Sequence, residues 1–386
     1  MSDIPVSDVH IALVGIGGYG RYYVDELLRA SATRQVKLVA GIDAFPERSG
    51  VLDDFRKANI PIYADLESFY CHSTADLVII AAPIHLHAPL TCLALARGSN
   101  VLCEKPLCAL LSEADQMAEA ERQAEKFVAI GYQWSFTDAI QALKQDVMAG
   151  VFGLPKRLKT LVLWPRFKSY YRRNDWAGRI KISDSQWVLD SPVNNATAHY
   201  LHNMLYLLGE TSQASAKPAS VQAELYRANP IENYDTAALR VVTQPGIEML
   251  MFTAHPVSVE IGPWASYEFE LATIEYGDDR VFTARFRDGR VKVYGNPEDT
   301  QANKLWQSVA AVQSREPVAC GIEAARAHTV CVNEIQKIGI DDFPRHRVQI
   351  QRQEADELVW VNGLADCFLR CYHAGYLPSE SGEILW

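Results

Sequence analysis

The chain of 386 residues has no long apolar run, no block of like charge and no CxxC pair. No stretch approaches the roughly 20 apolar residues a membrane helix needs, so membrane-spanning functions are not expected. A net charge of −10 argues against a nucleic-acid surface. The opening MSDIPVSDVH lacks the basic-then-apolar pattern of a secretory signal, which points to a cytoplasmic protein. There is no GxSxG elbow, no P-loop and no cluster with metal-ligand spacing, so no metal is expected. Of the eight cysteines, Cys71, Cys92, Cys103 and Cys108 fall in apolar or helical runs, and Cys367 and Cys371 share one helical face. Reduced, partly buried thiols are expected, not a disulfide framework.

What is present is a globular composition, 48% hydrophobic and 22% charged, long enough for two domains. The most informative stretch is Val9 to Gly20, an apolar run that breaks into Gly15-Ile16-Gly17-Gly18-Tyr19-Gly20 and opens a helical run, Tyr22–Ala30. One glycine makes the strand-to-helix turn, the next lets the backbone approach a pyrophosphate, and the third permits close helix–strand packing. The pyrophosphate would then sit on free amides at the helix N-terminus. A second strand-like run, VKLVAGI, ends at Asp43. A carboxylate there accepts the ribose hydroxyls of NAD and repels the extra phosphate of NADP, although nearby Arg48 can turn toward a 2′-phosphate.

Strand-like and helix-like runs alternate through the first third. The strands expected are Val9–Val14, Val36–Ile42, Asp76–Ala81, Asn100–Cys103 and Phe127–Gly131. Helices are expected at Pro46–Ala58, His87–Arg97, Ser112–Glu125 (with Ser112 and Asp115 as a capping box) and Thr137–Ala149. Repeated β-then-α units predict an α/β fold with a doubly wound parallel sheet. From about Leu158 the runs alternate apolar and polar: Arg157–Trp164, Val221–Tyr226, Ala237–Val242, Glu248–Ala254, Glu268–Tyr276 and Arg280–Arg287. They predict a mainly antiparallel sheet, with helices at Asn195–Leu208, Gly321–Ile338 and Glu357–Tyr372. The division expected is a nucleotide domain, 1–131, and an α+β domain, 132–386.

The strand Asn100–Cys103 runs into Glu104-Lys105-Pro106. Ligands of open α/β sheets bind at the carboxyl ends of strands, so this tripeptide should face the cofactor crevice unless it is only a surface turn. A lysine there can donate to a substrate hydroxyl and favour a developing alkoxide. Glu104 can lie along the cofactor, and Tyr132 can contact the nicotinamide or the substrate. Further on, Trp164, Arg166, Tyr170, Tyr171, Arg173, Asn174, Trp176 and Trp187 form a dense aromatic and arginine segment. Aromatic faces stack on sugar rings, while Arg and Asn donate to hydroxyls or a carboxylate; the same residues also suit a domain or subunit interface.

Together, Gly15–Gly20, Asp43, Ala82-Pro83-Ile84-His85-Leu86-His87 and Cys103-Glu104-Lys105-Pro106-Leu107 resemble the Gfo/Idh/MocA oxidoreductases. The resemblance implies an N-terminal Rossmann domain, NAD or less readily NADP as cofactor, and a carbohydrate-like substrate. It implies a second domain with a large open sheet that forms homodimers or homotetramers. It makes Lys105 catalytic and puts Ala82, Pro83, His85 and His87 near the cofactor, with Ile84 replacing a frequent Asn. Such sites usually add Asp-x-x-x-His from a second-domain helix; the matching stretch here carries Asn194, Asn195, His199 and His202. An amide takes no proton at neutral pH, which leaves His199 as the base and Asn195 orienting a substrate hydroxyl. Hydride transfer at a secondary hydroxyl of a sugar or cyclitol is the function implied. The alternatives are an NAD-dependent glycosidase or lyase working through transient ring oxidation, and a non-catalytic NAD-binding sensor.

Overall fold

A computed structural model describes residues 8–31 and 33–382. The chain divides into two compact units, 1–136 with 302–322 and 137–301 with 323–386.

The first unit is built on six parallel strands: β1 Val9–Val14, β2 Val36–Ile42, β3 Ile62–Tyr63, β4 Leu77–Ile80, β5 Asn100–Cys103 and β6 Val128–Ile130. They lie in the order β3-β2-β1-β4-β5-β6, reversing direction of travel at β1/β4 as a doubly wound sheet does. Parallel strands need both faces covered, and the sequence supplies this: every residue of β4 is buried, as are five of six in β1. The helix expected at Pro46–Ala58 is a short turn, Pro46–Arg48, followed by a helix only at Leu52–Lys57. The helix expected to start at Ser112 starts at Leu111, and its cap is different. The Glu113 carboxylate accepts the Ala109 and Leu110 amides at 3.0 and 2.9 Å, so no Ser112–Asp115 box is used.

This unit also takes in residues beyond the expected boundary at 131. Residues 132–136 remain with it, and helix Asn303–Ser314 packs against β1, β4 and β5. The Ile130 amide donates to the Cys320 carbonyl at 2.8 Å, adding a rung beyond the last strand.

The second unit carries a nine-stranded sheet. Its order is Val291–Gly295, Phe282–Phe286, Ala272–Tyr276, Ile261–Phe269, Pro155–Leu163, Glu248–Ala254, Thr236–Thr243, Pro218–Arg227 and Ile340–Asp342. Pairing is antiparallel except where Pro155–Leu163 meets Glu248–Ala254 and Pro218–Arg227 meets Ile340–Asp342. The run expected as one strand, Glu268–Tyr276, is the end of one strand and all of the next, turning at Glu270 and Leu271. The helix expected at Glu357–Tyr372 begins as a strand, Asp356–Val361, paired with Val348–Gln353. Gly363, at φ +83°, ends that strand, and the helix runs from Leu364 to Ala374. Its apolar side meets the sheet, with Phe368 edge-on to Phe252 at 5.7 Å between centroids.

No two cysteines are joined by a disulfide among the described residues; six of the eight are buried, and the Sγ atoms of Cys367 and Cys371 lie 4.0 Å apart. Among the described residues no helix is long and apolar enough to cross a membrane.

Candidate active site

The glycine turn fits a dinucleotide by the space its glycines leave. A Cβ on Gly15, at φ +79°, would lie 2.4 Å from the Ala81 carbonyl oxygen, and one on Gly20 would lie 1.8 Å from that of Gly15. These two glycines make the turn close. Gly17 backs onto Ser49, whereas a Cβ on Gly18 (φ +52°) would meet nothing within 4 Å. The turn is open there, ahead of helix Gly20–Ala30, as a pyrophosphate requires. Asp43 braces the same turn: its carboxylate accepts the Ile16 amide at 3.1 Å and the Phe45 amide at 2.9 Å. Each oxygen keeps a further lone pair for a ribose hydroxyl. Arg48 lies over the Phe45 ring and beside Glu47.

At the end of β5, Lys105 is half-buried and joined to Pro106 by a cis bond. Glu104 beside it does not lie open to a cofactor. Its carboxylate is buried, accepts Tyr23 Oη at 2.6 Å and the Lys105 amide at 3.2 Å, and pairs with the ammonium of Lys304. Lys304 also donates to Tyr19 Oη at 3.0 Å, and Tyr19 Oη in turn lies 3.4 Å from Gln133 Oε1. Burial and the adjoining Glu104 push the Tyr23 phenol well above its ordinary range, so it stays a donor. Gly131 leaves the room, since a Cβ there would lie 2.9 Å from the Glu104 carboxylate.

His87 is likewise enclosed. Nδ1 lies 2.8 Å from the Pro106 carbonyl oxygen and Nε2 2.9 Å from that of Ala82. It ties the turn after β4 to the turn after β5, and burial drives its pKa down against the pull of those two carbonyls. Pro83 leads into the turn Ile84–Leu86, in which Ile84 is buried and His85 half-buried. Tyr132 is fully buried.

In the second unit the helix expected from Asn195 is two pieces. A wide π-helical turn, Pro192–Ala196, is capped by Ser191, and the α-helix Ala198–Leu207 follows. Asn195 donates from Nδ2 to Asp190 Oδ1 at 2.7 Å, and Asp190 Oδ2 accepts the Gly178 amide at 2.6 Å. A carboxylate therefore stands beside residue 195 although residue 195 is an amide. His199 sits half-buried in the first turn of the helix. His202 is 1% exposed and stacked on Tyr206 at 5.6 Å. Burial and the neighbouring His328, His199 and Lys144 charges hold its pKa well below the usual value. Asn194 is also internal, donating to the Leu189 carbonyl at 3.2 Å.

The aromatic and arginine segment gathers around Tyr170. The guanidinium of Arg173 lies 3.8 Å from the centroid of its ring and that of Arg166 5.2 Å. Arg173 also lies over Trp176 and 3.9 Å from Asp190. Tyr171 hydrogen-bonds His255 Nδ1 at 3.0 Å. Asn174 uses its side-chain oxygen on the Trp176 and Ala177 amides at 3.2 and 2.8 Å, shaping the loop. Trp187 stacks under Lys181 at 3.9 Å. Three residues the sequence reading passed over are prominent here: Lys304, Tyr23 and His255. Lys304 lies 200 positions from its carboxylate, and nothing in the local pattern marks it.

A glycine turn open at Gly18, braced by Asp43 and set on a doubly wound parallel sheet with Lys105 at the end of β5, is the arrangement of a dinucleotide-binding domain. The family model described as "Oxidoreductase family, NAD-binding Rossmann fold" matches residues 9–132. A provisionally named UDP-kanosamine synthase oxidoreductase subunit of Amycolatopsis mediterranei is 36% identical over 302 residues, 72% of this chain and 75% of that protein. The chain belongs to the Gfo/Idh/MocA family. An inositol 2-dehydrogenase of Rubrobacter xylanophilus is 29% identical over 204 residues, 52% of this chain, and the chain spans about half of that relative, 53%. Among solved structures, the WlbA dehydrogenase of Chromobacterium violaceum, crystallised with NADH and UDP-GlcNAcA, shares the fold. It has a TM-score of 0.72 and 18% identity, covering 87% of this chain and 96% of that one.

Proposed function

We propose that the protein is an NAD-dependent oxidoreductase acting on a secondary hydroxyl of a sugar, cyclitol or sugar derivative. The observation that carries this reading is Lys105 on a turn braced from both sides, by the buried Glu104–Lys304 pair and by His87. Relatives named as inositol 2-dehydrogenase and UDP-kanosamine synthase oxidoreductase subunit support the substrate class. In the first unit, Gly15, Gly17, Gly18, Gly20 and Asp43 are the cofactor contacts of this reading. When bound, NAD takes or returns the hydride. Lys105 donates to the reacting oxygen and stabilises negative charge there. His199 exchanges the hydroxyl proton, and Asn195, steered by Asp190, offers its amide oxygen to a substrate hydroxyl. NAD is preferred over NADP on the position of Asp43.

The test is incubation of the purified protein with NAD and a panel of sugars, cyclitols and glycosides. Net NADH formation is the expected result. Cleavage of a glycoside without net NADH would replace this reading by a redox-neutral elimination, and neither outcome by a sensor. We further propose a cytoplasmic setting, in keeping with cysteines that form no disulfide among the described residues. The open nine-stranded sheet would serve self-association, which light scattering reads directly.

A further inference from the structure

In the second unit, around Tyr170, nitrogen donors outnumber the acceptors that answer them. Trp164 and Arg166 follow directly on strand Pro155–Leu163, and the Arg166 amide donates to the His255 carbonyl at 3.3 Å. The Arg166 guanidinium lies 5.4 Å from the Trp164 ring centroid and 5.2 Å from that of Tyr170, whose ring lies 5.4 Å from His255. Within this cluster Trp164 Nε1, Arg166 Nε and His255 Nε2 are buried without a hydrogen-bond partner. His255 is 2% exposed, and burial together with Arg166 and Arg173 holds its imidazole well below its usual pKa, hence neutral. Tyr171 Oη and His255 Nδ1 share a hydrogen bond of 3.0 Å; in the tautomer in which the phenol donates, the single imidazole proton is on Nε2. In that tautomer all three atoms are N–H donors, and native interiors rarely leave buried donors unanswered.

The charges are as unbalanced as the hydrogen bonds. Arg166 has no carboxylate within ion-pair distance among the described residues, and Nη1 donates to the Pro165 carbonyl at 3.2 Å. The carboxylates beside this cluster are already engaged, Asp190 by Gly178, Asn195 and Arg173, and Asp235 by Ala228, Asn229 and Thr236. A substrate hydroxyl could answer one donor but would leave the guanidinium uncompensated. An oxyanion answers both, because it accepts several N–H groups at once and carries the missing charge.

We propose that Trp164, Arg166 and His255 bind an anionic group of the substrate, a carboxylate or a phosphate, so that the preferred substrates are acidic sugar derivatives. This rests on the sugar oxidoreductase reading above. The test is calorimetric binding to protein saturated with NADH, which fills the cofactor's own pyrophosphate site. The probes are glucose, glucuronate, glucose 6-phosphate and UDP-glucose. At least one acidic probe should bind about tenfold or more tightly than glucose, the scale of a charge-assisted contact. Arg166→Gln should erase that preference while leaving NADH binding intact, and Arg166→Lys should keep part of it. A preference for glucuronate identifies a ring carboxylate, and one for the phosphorylated probes a phosphate. Equal binding of all four, binding of none, or a preference that survives Arg166→Gln would overturn the proposal. Failure of hydride transfer is read separately, from NAD reduction, and does not bear on charge preference.

Discussion

Asn195 donates to Asp190 across 2.7 Å, and Asp190 is buried between that amide and the backbone amide of Gly178. A carboxylate therefore stands beside position 195 from five residues upstream, held on these two donors. Asn195→Asp would set two carboxylates in contact. The second ionisation of the pair would be raised above its unfolded value, so the penalty is absent below pH ~4 and grows as pH rises toward neutrality. A loss of about 2 kcal/mol at pH 7 that vanishes near pH 4 in urea unfolding is expected. A pH-independent difference would show that the two side chains do not meet.

Lys304→Met should leave the Glu104 charge buried and uncompensated, lowering stability by about 3 kcal/mol. Adding Glu104→Gln should restore part of the loss, because the stranded charge is removed. Strictly additive losses in the double-mutant cycle would contradict the pairing.

Lys105→Met should lower turnover by about 10² or more with NADH affinity retained. Near-normal turnover on a confirmed substrate would remove Lys105 from the chemistry, and unfolding would make it structural.

Asp43→Ala removes acceptors from the Ile16 and Phe45 amides as well as from a ribose. A stability loss of about 1 kcal/mol should accompany a narrowing of the NADH-over-NADPH preference, both read by titration and thermal unfolding. NADPH binding more tightly than NADH in the wild type would reverse the assignment.

His202 and His255 are both buried with pKa values held well below the ordinary histidine value. The unfolded chain therefore binds their protons first, and the stability they contribute is present above pH ~6.5 and lost as pH falls below it. Each should add up to about 1.4 kcal/mol of loss per pH unit in that window. His202→Phe keeps a ring against Tyr206 and should reduce the slope of stability against pH between about 6.5 and 5. An unchanged slope would mean that His202 is charged or accessible in the folded protein.

The local sequence determined much of this protein. Strands β1, β2 and β5 fall where apolar runs place them, because a parallel strand buried on both faces is apolar along most of its length. The glycine turn, Asp43 and Lys105 were legible for the same reason: each is tied to the end of such a strand, and strand ends are where a doubly wound sheet presents its ligands. Tertiary structure decided what no local pattern carries. Glu357–Tyr372 has helical spacing in part, but pairing with Val348–Gln353 makes its first half a strand. No local pattern shows that Lys304, 200 residues away, pairs with Glu104, or that two carbonyls meet the ring nitrogens of His87. Nor does one show that Asp190 stands against Asn195. In each case the deciding term is the partner of a buried polar group. Such partners come from distant segments, and the demand that every buried charge and donor be answered is met only when the chain has folded.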